Sequence, residues 1–485
     1  MDPEKLQKVS ISPEQIRKVY DQGPDAVINL VLPLVETINW LIDVVKDQDK
    51  RIKNLENQLK TNSRNSSKPP STDPSFSKQN SRTKRKGTSK PKSRKGTTLR
   101  QIPNPDDIET HQVSSCQHCQ CDLSNVPVKA LDKRQVIEIP PLHIHVTEYQ
   151  GEVKKCPHCG EISKATFPVG VTHKAQYGPR VQSLAVYLRD YQMLPTQRTI
   201  GLFKDLFGLT ISEGTLVNFT HRGSKLLMNV VEAIKSKLQK SNLVHFDETG
   251  INVAGKLKWL HTAGNTQYTY LCPHEKRGHI AFDKIGILPI FKGVAVHDFW
   301  KSYDRYDCTH SYCNAHLIRE LIFASENLGQ PWAEFMLKLL LDIKKEVDSS
   351  RYESIEGNLF TAFEKQYEQI ILQGYAANPP PEKTGKRGRP AKGKALCLVE
   401  RMDHYRDDIL RFAKEPAVPF SNNLAERDLR MSKVRQKISG TFRNLERSMD
   451  YCRIRSYIST AQKQKINVFT ALTDLFLPDV QLKIL

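Results

Sequence analysis

The sequence predicts a multidomain α+β chain built around one mixed sheet, and three observations carry that prediction. The run Leu243-Val244-His245-Phe246-Asp247-Glu248-Thr249-Gly250 is a short series of strand formers that delivers a carboxylate and stops at a glycine. Gly293-Val294-Ala295-Val296-His297-Asp298 repeats the device. Segments of helical spacing surround both, and 485 residues exceed what one core accommodates.

Composition divides the chain. It predicts N-terminal helices with a coiled coil over 1–60, a disordered basic linker over 61–100 and a zinc-binding segment over 101–170. A helical, helix-turn-helix-like region follows over 171–240. A catalytic core is expected over 241–314 and 415–460, split by a helical insertion over 315–414, with a tail over 461–485. Lys and Arg number 73 against 53 acids, a net charge of +20, so a polyanion is the natural partner. The Met1 end has no apolar leader, and no stretch reaches the roughly 20 apolar residues that span a bilayer. A soluble cytoplasmic protein without a membrane partner is therefore expected.

Beyond Pro33, Leu34, Ile38, Leu41, Val45, Gln48, Ile52, Leu55 and Leu59 alternate steps of four and three, the seam of a short coiled coil through which the chain would self-associate. The polar Gln48 is suited to fixing its register. From Thr61 to Arg100 the chain holds twelve Lys or Arg and one acid, with Lys84, Arg85 and Lys86 as a basic knot. Such a segment buries too little apolar surface to order itself and would grip phosphates without reading sequence.

Cys116-Gln-His-Cys119 and Cys156-Pro-His-Cys159 are two Cys-x-x-Cys knuckles separated by 36 residues. Four thiolates suit one structural zinc in a zinc-ribbon-like segment, with strands expected at Arg134–Ile139 and His143–Thr147. Cys121, His118 and His158 are not assigned as ligands. Next, Thr196–Phe207 reads as an amphipathic helix stopped by Gly208, and Ser212 caps a second helix from Ile211 to Phe219. That order is shared by a DNA-reading helix-turn-helix and by a plain helical hairpin.

After the Asp247 strand, turns at Ala254-Gly255 and Gly264-Asn265 predict a three-strand antiparallel meander. A helix at 279–287, the Asp298 strand, a short helix at 299–306 and a strand at 309–313 would follow. This order matches the ribonuclease-H-like fold, in which the first and fourth strands are neighbours, so Asp247 and Asp298 would lie side by side. A third acid, Glu426, is separated from Asp298 by 127 residues and lies in a helix that Ser421 or Asn422 could cap. Arg427, Arg430 and Lys433 follow it, and Arg387 and Arg389 in Lys386-Arg387-Gly388-Arg389-Pro390 add a basic stretch that reads first as a plain basic loop, although its Arg-Gly-Arg-Pro centre could also lie extended in an AT-rich minor groove. Any one acid could be a turn or cap residue; three on separate elements suggest a divalent-metal site holding magnesium or manganese.

The motifs His245-Phe-Asp247-Glu-Thr-Gly250, Lys258-Trp-Leu-His261, Gly293-Val-Ala-Val-His-Asp298, Cys313-Asn-Ala-His316-Leu-Ile-Arg-Glu320, Asn422-Asn-Leu-Ala-Glu426-Arg-Asp-Leu-Arg430 and Cys452-Arg-Ile-Arg-Ser-Tyr457 resemble those of the IS-sixty-six (IS66) family of insertion-sequence transposases, over the whole chain. The resemblance implies that Asp247, Asp298 and Glu426 form a DDE-type acidic triad holding two metal ions. It implies 3′-end cleavage and strand transfer on transposon ends and target DNA at the bacterial nucleoid, with accessory proteins from the same element as candidate partners. Cys313 and His316 match a Cys-x-x-His signature, read as core architecture. A nuclease on the same scaffold, or a noncatalytic zinc-dependent DNA-binding regulator, are the rival readings; metal-dependent cutting and joining separates them.

Overall fold

The computed structural model describes residues 12–62, 64–66, 99–350, 357–381 and 392–478. The basic residues Lys84, Arg85, Lys86, Arg387 and Arg389 lie outside that set. Backbone contacts divide the chain into two compact units: 1–78 with 231–433 and 442–445, and 79–230 with 434–441 and 446–485.

The first unit is organised on a five-stranded sheet: β3 (Leu243–Val253), β4 (Lys256–Gly264), β5 (Thr269–His274), β6 (Val294–His297) and β7 (Thr309–Tyr312), lying in the order β5-β4-β3-β6-β7. Its numbering begins at β3 because β1 (Val153–Lys155) and β2 (Ile162–Lys164) belong to the second unit. β3 pairs antiparallel with β4 and parallel with β6, and β6 pairs parallel with β7. The first and fourth sheet strands are therefore neighbours, as the strand order of the sequence requires. Gly293 makes the approach possible: a Cβ there would meet the carbonyl oxygens of Asn242 and Ser241 at 2.5 and 2.6 Å.

Two expectations fail near the sheet. Residues 299–306 form turns rather than a helix, because their aromatic side chains leave the helical pattern and enter the core: Tyr303 stacks on His297 at 4.3 Å and on Phe282 at 4.7 Å. The linker expected to begin at residue 61 is also ordered at its start. Asn65 is buried and donates to Asn327 Oδ1 at 3.3 Å, and Arg64 pairs with Glu326 at 2.5 Å.

Between β7 and residue 423 the helices Asn314–Leu328, Pro331–Ser349, Gly357–Ala377, Lys394–His404 and Arg406–Lys414 share an apolar core around Leu317, Leu321, Trp332, Met336, Leu340 and Val399. Tyr312 on β7 joins that cluster, so the helical layer continues from the sheet edge.

The helix Pro24–Leu59 runs through Pro33 and leaves Leu34, Ile38, Leu41, Val45, Ile52, Leu55 and Leu59 exposed. It is also long and apolar enough to cross a membrane by length and composition, with a mean hydropathy of 1.6 over its apolar window. This corrects the expectation that no such stretch exists. Val27, Ile28, Leu30 and Val31 precede the seam and Trp40 and Ile42 fall between its residues, so the helix is apolar around much of its circumference near its N-terminal end.

In the second unit, Thr196–Phe207 and Glu213–Leu226 are helices, separated by Gly208 at φ +63° and by Ser212, whose hydroxyl accepts from the Thr215 amide. The second helix buries Leu216, Phe219 and Gly223, and a Cβ at Gly223 would touch Phe476 at 3.2 Å. The expected tail thus contributes a packed helix, Val468–Phe476, capped by Asn467 and burying Leu472, Leu475 and Phe476. The helix Leu445–Lys463 lies mostly in this unit too, so the segment 415–460 expected in the core is divided between the units. Arg435 is half-buried here over the ring of Tyr451 at 4.9 Å.

Candidate active site

β6 stops at His297, one residue short of Asp298, while β3 continues to Val253. The parallel register pairs His245 with Val296; carried on by two residues, it sets Asp247 against Asp298. Beyond that point β3 has a different neighbour. Phe442 bridges Val253 in parallel, its amide donating to the Asn252 carbonyl at 3.0 Å, and Lys433 Nζ donates to the Gly250 carbonyl at 2.5 Å. Lys433 and Phe442 therefore lie along the half of β3 that β6 leaves.

Asn422 ties the head of that segment to the sheet. Its side-chain nitrogen donates to the Phe246 carbonyl at 2.6 Å and its oxygen accepts from His245 Nδ1 at 2.8 Å. Its backbone amide donates to Cys313 Sγ at 3.1 Å. All three partners are buried, and a buried amide with each of these bonds made has one orientation. Glu426 follows in the first turn of the helix Asn423–Ser439, with Arg427 and Arg430 exposed beyond it.

The three acids act on one another. Burial first, then the negative charges of Glu248, Asp298 and Glu426, hold the Asp247 carboxyl well above the ordinary carboxylate range; the Glu248 amide, donating to Asp247 Oδ1 at 2.8 Å, pulls the other way. Glu248 is raised as well, by burial and then by Asp298, against hydrogen bonds from Tyr303 and Arg277.

Among the described residues, one set of three His, Cys, Asp or Glu side chains has ligand atoms all within 4.8 Å of one another: Cys313, His316 and Glu426. The Cys-x-x-His pair read as architecture thus flanks the third acid. Burial raises the Cys313 thiol and lowers His316, on which Glu426 and Asp298 act in the opposite sense. His316 Nδ1 is buried without a hydrogen-bond partner.

Each cysteine knuckle is a preformed turn. Cys116 and Cys156 donate their amides to the carbonyls of Cys121 and Glu161 at 2.9 and 2.8 Å, and the residues after the second cysteines, Gln120 and Gly160, both take positive φ. Amides at Cys119 and His118, and at Cys159 and His158, pull the Cys116 and Cys156 thiols below their usual range. No three of the four sulfurs share the 4.8 Å spacing of the Cys313 set. The strands expected at 134–139 and 143–147 are not formed, and the pairing in this segment is β1 with β2 and an isolated Ser115–Asp122 bridge. Val136, Ile139 and Val146 stand exposed; β-forming composition does not make a strand without a partner.

Sequence reasoning missed Asn422, Glu248 and Arg277. Only Asn422 left a signal, a polar pair just before a helix.

The sequence profile described as Transposase IS66 family matches residues 174–449, more than half of the chain. The chain belongs to the IS66 transposase family. A second profile, a family of unknown function (DUF6444), matches residues 29–101 of this transposase. No curated protein matches it significantly. Among solved structures, the Drosophila P element transposase strand transfer complex aligns with a TM-score of 0.32 at 10% identity, over 59% of this chain and 94% of that one.

Proposed function

We propose that this IS66-family transposase cleaves the 3′ ends of its element and joins them to target DNA with Asp247, Asp298 and Glu426 as a DDE-type triad in a ribonuclease-H-like core. The observation that carries the proposal is the convergence of acids from β3, the end of β6 and the 423–439 helix, strong enough for each of the others to raise the Asp247 carboxyl.

The residues fit a pair of hard divalent cations. Asp247, Asp298 and Glu426 offer oxygen donors of the kind magnesium and manganese prefer, and four carboxylates with Glu248 among them are an excess of negative charge that a cation relieves. When bound, such ions activate the attacking oxygen and neutralise charge developing on the departing one. The chain's own part is to hold three carboxylates in place and to bring DNA to them. Water attacks the phosphorus at the element's end and the P–O3′ bond breaks, freeing a 3′ hydroxyl; that hydroxyl then attacks a target phosphodiester and displaces its 3′ oxygen. Arg427 and Arg430, exposed one residue and one turn beyond Glu426, are suited to the phosphate backbone.

The paired knuckles support a structural zinc held by Cys116, Cys119, Cys156 and Cys159, and the exposed seam of the 24–59 helix supports a homo-oligomer. Asp247→Asn tests the central reading: cleavage and joining of end-containing DNA should disappear while end binding persists, and strand transfer by the purified variant would refute the assignment.

A further inference from the structure

Four acidic side chains crowd one corner of the sheet, yet among the described residues one Lys or Arg lies within ion-pairing distance of any of them. That residue is Arg277. Its Nε donates to Glu248 Oε1 at 2.8 Å, and Nη2 stands 3.9 Å from Asp298 Oδ2. The guanidinium lies over the ring of Trp300 at 4.0 Å and that of Trp259 at 5.0 Å. A planar cation between two indoles keeps its fork aimed in a way a lysine ammonium cannot.

Each acid it touches is held by a second hydrogen bond. Glu248, with its side chain 1% exposed, takes its second bond from the Tyr303 hydroxyl at 2.6 Å. Asp298 Oδ1 accepts from the Trp300 amide at 3.0 Å, which leaves Oδ2 toward Arg277. The backbone is fitted to this arrangement: a Cβ on Gly278 would meet Ser302 Oγ at 2.8 Å, so the corner after Arg277 sits directly against the loop that follows Asp298.

We propose that Arg277 is the internal counter-cation of the acid site, a positioning residue that ties Glu248 to Asp298 and so holds the Asp298 carboxylate beside Asp247 before any divalent ion arrives. This rests on the acidic-triad reading. Glu248 then serves as the buried anchor of the arginine rather than as a fourth ligand. A divalent ion and Arg277 relieve the same concentration of negative charge, so each should partly substitute for the other in stabilising the fold. An arginine present only to pack between two tryptophans would show no such exchange.

The test uses full-length protein dialysed free of magnesium and manganese without chelator, followed by thermal unfolding with and without manganese chloride. Arg277→Met, which keeps the aliphatic stem, should melt below the wild type in ion-free buffer. Saturating manganese should recover at least half of that loss, and adding Glu248→Gln to Arg277→Met should recover a similar part with no ion present. If Arg277→Met does not fold without manganese, the double variant should fold. A deficit that neither manganese nor Glu248→Gln reduces overturns the proposal. Manganese binding to the wild type and to Asp298→Asn, followed by electron paramagnetic resonance, separates the two readings: binding unaffected by Asp298→Asn defeats the triad itself, whereas binding lost in Asp298→Asn without exchange between ion and arginine defeats only the role of Arg277.

Discussion

Asn422 shows how much of the site rests on single polar contacts. Its side chain and amide join β3, Cys313 and the start of the Glu426 helix, and removing the side chain takes two hydrogen bonds from buried groups, one at the Phe246 carbonyl and one at His245 Nδ1. Asn422→Ala should therefore destabilise the first unit by about 1–3 kcal/mol and reduce cleavage further than that loss accounts for, because Glu426 loses its tether; denaturant unfolding beside a cleavage assay separates the effects. His261 offers a test by pH. Burial, foremost, pushes its pKa from 6.5 down to about 4, against a hydrogen bond from Nε2 to the Lys276 carbonyl. Above pH 6.5 the ring is neutral whether folded or unfolded and has no effect on the balance. As pH falls from 6.5 towards 4, the unfolded chain takes up a proton that the folded ring refuses, so this residue lowers stability by about 1.4 kcal/mol per pH unit and the loss levels off below 4. His261→Gln keeps a donor for Lys276 and should flatten the stability–pH curve in that window; an unchanged slope would contradict the assignment.

At the scale of elements, the 24–59 helix leaves an apolar stripe exposed along its length. Val45→Asp with Ile52→Asp places charges in the proposed seam and should convert an oligomer to monomers in light scattering, with the sheet unit's melting unchanged. The proposed zinc site makes a parallel prediction: if Cys116, Cys119, Cys156 and Cys159 hold zinc, a chelator should sharply increase protease cleavage between about 105 and 165, because a domain folded around metal loses its structure with it. These elements also show where sequence is readable. The two acid-bearing strands announce themselves because a parallel pair buried on both sides must be apolar along its run, so Val244, Val294 and Val296 mark them without knowledge of the fold. The meander and the Thr196–Phe207 and Glu213–Leu226 helices are legible for similarly local reasons, turns and caps. The 134–147 strands failed because pairing is not a local property. The Val468–Phe476 helix was passed over as tail although Asn467 caps it and its apolar face repeats every third or fourth residue. Glu248, Arg277 and Asn422 act across gaps of 29 to 177 residues, and such contacts leave no periodic trace.

At the scale of the whole molecule, the family is established by a profile that spans the sheet, the helical layer and the Glu426 helix, while the proposed chemistry rests on one geometric relation among three side chains. That relation has a cost in the absence of ions. Asp247 sits partly buried among like charges, so Asp247→Asn should raise the melting temperature of ion-free protein, by about 2–4 °C for each kcal/mol of repulsion relieved, and should lose the manganese-dependent rise expected of the wild type. A lower melting temperature for the variant would mean the acids are held by something other than their metal role. The most direct test of the triad is the joining of a pre-cleaved element end to plasmid DNA by the wild type and by Asp247→Asn, Asp298→Asn and Glu426→Gln. All three variants should bind end DNA as the wild type does and fall by roughly a thousandfold in joining, equivalent to about 4 kcal/mol of transition-state stabilisation; joining at wild-type rate by any one of them would contradict the account.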